Sequence, residues 1–319
     1  MRRTFLAGAA AAALLAITRP GIAQQPARIV VPFPPGGTVD FIARAVAARL
    51  QDAEARPFFV DNRSGANGNI GAEHAAPAAP DGSTLLMAGT PTHSINPHLY
   101  STMGFDPLDA TAPVAMVATG PNLLVVHPSL GVSSLAELVA LARSRPGLVE
   151  YASGGSGSTG HLAGEMLKAA AGIDLLHVPY RAFPAAVTDL VAGRVPVMFL
   201  TPPALLPHLR SGTLRAIATS GPARSSILPD VPTIAELGYP GFDADAWYGL
   251  FAPRNTPHAL RARLSARIAA AVADPAFRTL LERQGVEPRP MAPEPFATFL
   301  REDSTRWGEA VRRSGARID

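Results

Sequence analysis

RIVVPFPPGGTVDFIARAVAARLQ (28–51) predicts a strand, a glycine-rich loop and a helix in direct succession. RIVVPF (28–33) is a short apolar run typical of a buried strand, and the apolar spacing from residue 39 to about residue 51 indicates an amphipathic helix. Strands that alternate with helices imply a parallel sheet flanked by helices. The stretch therefore predicts the α/β fold class.

The same alternation continues along the chain in two series, which predicts two α/β lobes. The first series continues with PFFV (57–60), a short helix near 70–76 and TLLMA (84–88). The second comprises the predicted strands LVEYA (148–152), LLHV (175–178), VPVMFL (195–200) and LRAIAT (214–219), with helices at about 161–171 and 184–192. We expect NLLVVH (122–127) and WYGLFA (247–252) to be strands that cross between the lobes as a two-strand hinge.

These patterns predict how the chain is divided. We expect a first lobe of residues 24–122 plus 247–319 and a second lobe of residues 123–246, after a leader at 1–23. Three C-terminal helices, predicted at about 257–273, 275–284 and 293–313, are expected to pack back on the first lobe.

The N-terminal segment MRRTFLAGAAAAALLAITRPGIAQQ (1–25) has the features of a secretory signal. Two arginines precede an apolar run from Phe5 to Ile17, and small residues lead to a predicted cleavage site near Ala23. That run is too short to cross about 30 Å of hydrocarbon. The arginine pair also resembles a twin-arginine signal, so the export route stays open. The segment predicts a periplasmic protein.

Charge and cysteine content exclude several classes of function. Cleavage would remove three arginines and no acid, so the formal charge of +3 would fall to zero. No basic cluster is interleaved with aromatic residues, which argues against nucleic acid as a partner. The absence of cysteine excludes disulfides, thiolate chemistry and cysteine-bound zinc. We expect a soluble monomer.

Each predicted strand of the first lobe ends in a loop rich in glycine and small polar residues. The loops are PFPPGGTVD (32–40), DNRSGANGN (61–69) and AGTPTHSIN (88–96). Ligands of open parallel sheets bind at this edge, and glycine lets backbone N–H groups approach an anion at a helix N-terminus. The candidate contacts are Pro34, Pro35, Gly36, Gly37, Thr38, Asp40, Thr90 and His93. The alternative is that Gly and Pro only build tight turns.

Two of these candidates have a second interpretation. Asp40 lies in the first turn of the predicted helix, where its charge suits the helix dipole, although it could receive an ammonium group from a ligand. His93 could contact the ligand or could only order its loop.

In the second lobe, YASGGSGSTGHLAGE (151–165) again joins a strand to a helix. Gly155, Gly157 and Gly160 satisfy G-x-G-x-x-G, so a dinucleotide-dependent oxidoreductase is one alternative. The acidic residue that the fingerprint needs at the next strand end is missing there, where HVPYR (177–181) stands instead. We favour anion binding by the loop, with candidate contacts Ser153, Gly154, Ser156, Gly157, Ser158, Thr159 and His161.

Catalytic motifs are missing from the sequence. There is no G-x-S-x-G elbow, no P-loop and no H-E-x-x-H. His161 and Glu165 could share a helix face as metal ligands do, but no third ligand is evident. We therefore expect no enzyme activity, no cofactor and no metal.

Seven motifs, taken in order, resemble those of the Bug-type receptors, the extracytoplasmic substrate-binding proteins of tripartite tricarboxylate transporters. They are VVPFPPGGTVDFIARAVAARL, VDNRSGANGNIGAEHAAPAAPDGSTLLM, INPHLY, LLVVHPS, YASGGSGSTGHLAGEMLK, HVPYRA and LPDVPTIAELG. The resemblance spans nearly the whole chain after the leader. It implies a periplasmic-binding-protein fold of type II-like form, whose two lobes close on a carboxylate gripped largely by backbone groups and ordered waters.

The resemblance also implies a partner and a pocket. The closed receptor would dock transiently on a membrane permease; a ligand-sensing subunit for a membrane kinase, with the same fold, is the other alternative. Where the family usually has glycine this chain has Ala182, and Leu200 and Thr201 replace a common acidic residue and asparagine. With Tyr180 as a further contact, these residues predict a carboxylate that has an apolar or aromatic body.

Overall fold

The computed structural model describes residues 25–180 and 183–318. The predicted signal at 1–23 and the candidate contact Ala182 therefore lie outside the described residues. Among the residues described, no helix combines the length and the apolar character that a membrane crossing requires.

Eleven strands and eleven α-helices are assigned in the described ranges. The first stretch contains β1 (Ala27–Val31), α1 (Thr38–Glu54), β2 (Phe58–Asn62), α2 (Asn69–Ala75), β3 (Thr84–Gly89), α3 (Asn96–Leu99), α4 (Pro107–Ala110) and β4 (Thr111–Gly120). The second contains β5 (Leu123–Val126), α5 (Leu135–Ser144), β6 (Glu150–Ser153), α6 (Thr159–Ala171), β7 (Leu176–Pro179), α7 (Phe183–Val191), β8 (Val197–Leu200), α8 (Leu206–Arg210) and β9 (Arg215–Thr219). The last contains β10 (Ala246–Pro253), α9 (His258–Ala273), α10 (Pro275–Arg283), β11 (Glu287–Met291) and α11 (Pro293–Ser314).

The strands form two mixed sheets, and we call the parts of the chain that carry them the first and second lobes. The first sheet has the order β11-β4-β10-β3-β1-β2, and the second has the order β7-β6-β8-β5-β9. Strands β1, β2 and β3 are parallel, as are β6, β7 and β8. Strands β10 and β5 run antiparallel to both of their neighbours. The α/β class is confirmed, and the predicted parallel strands are present in each sheet, where antiparallel strands extend them.

The crossings between the lobes lie beside the strands that were predicted to make them. Strand β5 belongs wholly to the second sheet and β10 wholly to the first. The chain leaves the first sheet at Gly120 and returns at Ala246, and these two residues pair with each other. Asn122, in the first crossing, donates from its Nδ2 to the Ala244 carbonyl at 2.8 Å. The two crossings are thus hydrogen-bonded neighbours, which is the arrangement of a two-strand hinge.

Helix α11 spans both lobes. Phe296 and Leu300, in its first half, lie in the same apolar cluster as Trp247 of the first sheet. Trp307 and Val311, in its second half, lie in a cluster that contains many second-lobe residues. The prediction that the C-terminal helices pack on the first lobe is therefore incomplete for the second half of α11, which also packs on the second lobe. Its hydrophobic positions continue past the boundary between the lobes, so they are buried against both.

Candidate functional site

The loop before α1 places free donors at the carboxyl end of β1. Residues 34–37 are exposed and Thr38 is half-buried, and Gly37 is the N-cap of α1. No side chain in the described ranges caps this helix. The first N–H groups of a helix have no intrahelical acceptor, so those of Thr38 and Val39 are available to an anion.

Asp40 holds this loop in place and is not free for a ligand. Its Oδ2 accepts from the Gly36 N–H and from Arg44 Nε, both at 3.0 Å. Its Oδ1 accepts from Arg44 Nη2 and from Asn62 Nδ2. Burial alone would raise the pKa of Asp40, but these hydrogen bonds, led by Arg44, bring the pKa below its ordinary value. The carboxylate is ionised and fully paired, so the alternative of an ammonium contact is contradicted.

Thr90 and His93 belong to the interior of the first lobe. The Thr90 hydroxyl is fully buried and accepts from the Trp247 backbone N–H at 2.8 Å. His93 is 0 % exposed, stacks on Phe251 at a centroid distance of 4.0 Å and hydrogen-bonds Thr111. Burial lowers the pKa of His93 to about 3, so the ring is neutral. The prediction of a ligand contact at His93 is wrong because the short π-helical turn Pro91–Ile95 directs it inward.

Several polar groups of the second-lobe loop are used within the loop itself. Ser153 Oγ accepts from the Gly155 N–H at 3.2 Å and is fully buried. Ser158 is the N-cap of α6, where its hydroxyl accepts from the His161 N–H and donates to the Gly155 carbonyl. The Gly157 N–H donates to His161 Nδ1 at 3.1 Å. Ser153, Ser158 and His161 therefore shape the loop rather than face a ligand.

Ser156 and Thr159 lie at the exposed edge of this loop, whereas Gly160 is buried. Ser156 is exposed and Thr159 is half-buried. Their N–H groups and that of Gly160 have no hydrogen-bond partner in the described parts of the chain. Thr159 uses its hydroxyl to donate to Asn122 Oδ1 at 3.3 Å, which joins the loop to the hinge.

The glycines of the second-lobe loop are required by packing. A Cβ at Gly157 would lie 2.0 Å from Leu99 Cδ2, and its φ of +80° also favours glycine. A Cβ at Gly160 would lie 2.2 Å from the Phe199 carbonyl oxygen. The G-x-G-x-x-G spacing thus has a local cause that needs no dinucleotide.

Tyr180 and Leu200 are also held within the second lobe. The Tyr180 hydroxyl donates to Asp189 Oδ2 at 2.7 Å, and burial, with help from Asp189, raises the pKa of Tyr180 to about 12. Leu200 is 4 % exposed and packs in the core with Leu123 and Met198. Leu200 is a core residue because it ends a central strand, so the prediction that it lines the pocket is wrong.

Two residues that the sequence interpretation missed connect the lobes at the cleft. Tyr248 of β10 lies close to Thr38 of the first lobe and Thr201 of the second. Burial raises the pKa of the Tyr248 hydroxyl, although both of these residues act to lower it, so the hydroxyl stays protonated. Asn67 donates from Nδ2 to the Gly157 carbonyl across the cleft at 3.3 Å.

Asn67 could have been recognised only in part. Its φ of +51° and the φ of +46° at Ala66 are left-handed, a conformation that asparagine tolerates better than most residues. The Asn-Gly pair in DNRSGANGN indicates such a turn. No local pattern tells which group across the cleft the side chain would reach.

The two loops that offer N–H groups carry no charged side chain. Neither 34–38 nor 153–160 contains a lysine, arginine, aspartate or glutamate. The available donors are the first-turn N–H groups of α1 and α6 and nearby hydroxyls. In addition, the described residues hold no cluster of three or more His, Cys, Asp or Glu side chains suited to a metal ion. The arrangement can bind an anion through hydrogen bonds and helix dipoles.

Two α/β lobes, a double crossing and loops with unused N–H groups at the strand ends are the features of bilobed solute-binding proteins. The chain matches the family described as "Tripartite tricarboxylate transporter family receptor" over residues 42–316. It belongs to this family, whose Bug-type members its motifs resemble.

Relatives and solved structures agree with this membership. "Protein BugT" of Bordetella pertussis is 37% identical over 295 residues, which cover 92% of this chain and 90% of BugT. An R. palustris protein solved with adipate has a TM-score of 0.86 and 36% identity, with 92% of this chain and 99% of that chain covered. MatC from Rhodopseudomonas palustris with bound malate has a TM-score of 0.80 and 33% identity, and the match covers 89% of this chain and 98% of MatC. The periplasmic binding protein BugD has a TM-score of 0.82 and 30% identity, with 93% and 99% covered.

Proposed function

We propose that this protein is an exported, non-catalytic receptor that closes on a small carboxylate and delivers it to a membrane permease. The observation that carries the proposal is that each lobe has a helix N-terminus with unused N–H groups at a strand end, and that Asn67 of the first lobe donates to the Gly157 carbonyl beside the second of them. Thr38 begins α1 and Thr159 begins α6, and both offer a backbone N–H. The bound adipate and malate of two solved relatives support a carboxylate as the ligand.

The lobes would close by rotation about the two crossings. We take the first lobe as residues 24–122 plus 247–319 and the second as 123–246, after cleavage near Ala23. A carboxylate held by both helix N-termini has a higher affinity for the closed form, so it shifts the population towards closure. The closed receptor then presents both lobes to the permease. Mass spectrometry of the exported chain tests the predicted cleavage near Ala23.

The remainder of the ligand is proposed to be apolar. The Phe183 side chain is 44% exposed. Its ring lies directly over Gly154, so close that a Cβ added at Gly154 would be 2.0 Å from the ring. Any ammonium group would lack a partner at Asp40, since that carboxylate is already paired. These contacts favour a carboxylate with an apolar or aromatic body over an amino acid.

A single N–H group can be removed to test the proposal. In T38P, proline replaces the first residue of α1, where proline fits the helix, so the variant loses the N–H together with the threonine side chain. Gly37 has φ −82° and ψ 172°, which a residue before proline readily adopts. The matched control T38A keeps the N–H and, like T38P, lacks the threonine hydroxyl and γ-methyl group.

Calorimetry of the mature protein against adipate, malate, citrate and benzoate gives the result. We expect at least one acid to bind, and T38P to weaken its binding by about 10- to 100-fold, the value of one charge-assisted hydrogen bond. T38A should stay within about threefold of the parent, a change of under 1 kcal/mol. No heat with any acid, or equal binding by T38P and T38A, would contradict the proposal.

A further inference from the structure

Two imidazole rings lie stacked beneath the second-lobe loop. His161 of α6 and His177 of β7 have ring centroids 4.0 Å apart and an interplanar angle of 22°. His161 is 7 % exposed and His177 is half-buried. We call these two residues the histidine pair.

The histidine pair holds the loop at two points. The Gly157 N–H donates to His161 Nδ1 at 3.1 Å, in the middle of the loop. His177 Nε2 and Ser153 Oγ are hydrogen-bonded at 2.7 Å, where the loop leaves β6. Ser153 in turn accepts from the Gly155 N–H. The first half of the loop is therefore fixed by side chains that lie behind it.

The hydrogen bond from Gly157 requires a particular protonation state. An imidazole nitrogen that accepts a hydrogen bond carries no proton, so Nδ1 of His161 must be bare. A protonated His161 would place two donors, Nδ1–H and the Gly157 N–H, against each other. The observed loop geometry is thus compatible only with a neutral His161.

The surroundings keep both rings neutral. Burial, then the nearby Lys168 charge, lowers the pKa of His161 to about 4. Burial, then His161, lowers the pKa of His177 to about 4, with Glu165 acting in the opposite direction. Glu165 is itself engaged, because it accepts from the Tyr151 hydroxyl at 2.7 Å and pairs with Lys168, which also lies 3.5 Å from Asp174.

We infer that the histidine pair positions the second-lobe loop and so decides which N–H groups it offers to the ligand. The pair and Ser153 take up the N–H groups of Gly157 and Gly155. The N–H groups of Ser156, Thr159 and Gly160 are left for an anion. His161 and His177 are positioning residues, since their hydrogen bonds end on the loop. The inference deepens the proposed receptor function and rests on it for the identity of the bound group.

Variants at His161 separate the hydrogen bond from the ring. In H161N, the Asn Oδ1 stands close to the position of Nδ1 and can still accept from the Gly157 N–H. In H161L, the side chain has similar bulk and no acceptor. The corresponding variants of His177 are H177Q and H177L. H177Q keeps a polar atom near the position of Nε2, and H177L does not.

Nitrogen-15 NMR of the mature protein reads the hydrogen bond without any ligand. We expect a scalar coupling across it between the Gly157 amide nitrogen and His161 Nδ1 at pH 7. The Gly157 amide should keep slow hydrogen exchange in H161N and lose it in H161L. A missing coupling, or unchanged exchange in H161L, overturns the inference.

Calorimetry with adipate, or with the acid that binds best in the panel above, measures how these variants change the affinity for the ligand. We expect H161L to weaken binding at least about tenfold, H161N to stay within about threefold, and H177Q to exceed H177L in affinity. Equal losses in H161N and H161L overturn the inference. If the coupling is present but the parent protein binds no acid, the receptor proposal fails while the positioning of the loop stands.

Discussion

Asp245 lies in the second crossing segment. The Oδ1 atom of its carboxyl group is buried and has no hydrogen-bond partner among the described residues. Burial, then the charge of Asp243, raises the pKa of Asp245 to about 8, with Arg306 acting in the opposite direction. The folded state therefore binds a proton more tightly at this residue than the unfolded state, whose pKa is 3.8. The contribution of Asp245 to stability falls as the pH rises from about 4 to about 8.

This shift predicts that D245N is more stable than the parent protein at high pH. Asparagine cannot ionise, so the free energy of unfolding should exceed that of the parent by at least about 1.4 kcal/mol at pH 9, the value of one pKa unit. The difference should shrink towards pH 4. Urea unfolding across pH 4–9 checks it, with D230N at an exposed aspartate as the control. A difference that is constant with pH would contradict the assignment.

Residue types predicted the loops of the site better than the roles of single side chains. Glycine and serine composition correctly indicated the strand-loop-helix junctions at 34–38 and 153–159, since these residues are needed wherever backbone groups pack closely. His93 and Leu200 were misassigned because exposure depends on tertiary packing. A lone histidine in a polar loop gives no local sign that a π-helical turn will bury it.

Helices α1 and α6 each begin at a loop of the candidate site, but their N-termini are capped differently. The N-terminus of α6 is capped by Ser158, whereas α1 has Gly37 and no side-chain cap in the described ranges. At its other end, α1 stops at Ala55, which has φ 50° and ψ 34°. Alanine in this left-handed conformation is strained, while glycine is not.

The strained end of α1 predicts a stabilising substitution. A55G should raise the free energy of unfolding by about 1 kcal/mol, because glycine adopts the left-handed conformation without a Cβ clash. Ala55 is exposed, so no packing is lost. The matched control A48G, at an exposed position inside the same helix, should lower stability by about 1 kcal/mol. Urea unfolding of both variants gives the comparison, and destabilisation by A55G would refute it.

Among the elements, strands that contain proline were the hardest to predict. β4 contains Pro113 and β11 contains Pro288 and Pro290, and neither strand was predicted. Proline cannot donate to a sheet, but it is tolerated at edges and irregularities. β11 is an edge strand, and β4 has register shifts along both of its partners. Strands with regular apolar runs, such as β1 and β3, were predicted within two residues at either end.

At the scale of the whole molecule, three features connect the lobes: the two crossings, the hydrogen bond from Asn67 to Gly157, and α11. Arg306 of α11 pairs with Asp303 on its own helix and with Asp243 in the second crossing. Trp247, at the start of β10, donates from Nε1 to Asp303 Oδ2 at 2.6 Å. Any rotation of one lobe against the other must therefore either shift these side chains or leave them in place and bend the chain beside them. Sequence periodicity predicted α11 itself but could not show that its two halves face different cores.

The central claim is that one carboxylate is bound by backbone N–H groups from both lobes. The direct measurement is a crystal structure of the mature protein with a bound acid, either copurified or selected by calorimetry. The account predicts carboxylate oxygens at about 3 Å from the N–H groups of Thr38 and of Thr159 or Gly160, with no lysine or arginine in contact. A carboxylate paired with a cationic side chain, or bound outside the cleft between the lobes, would contradict it.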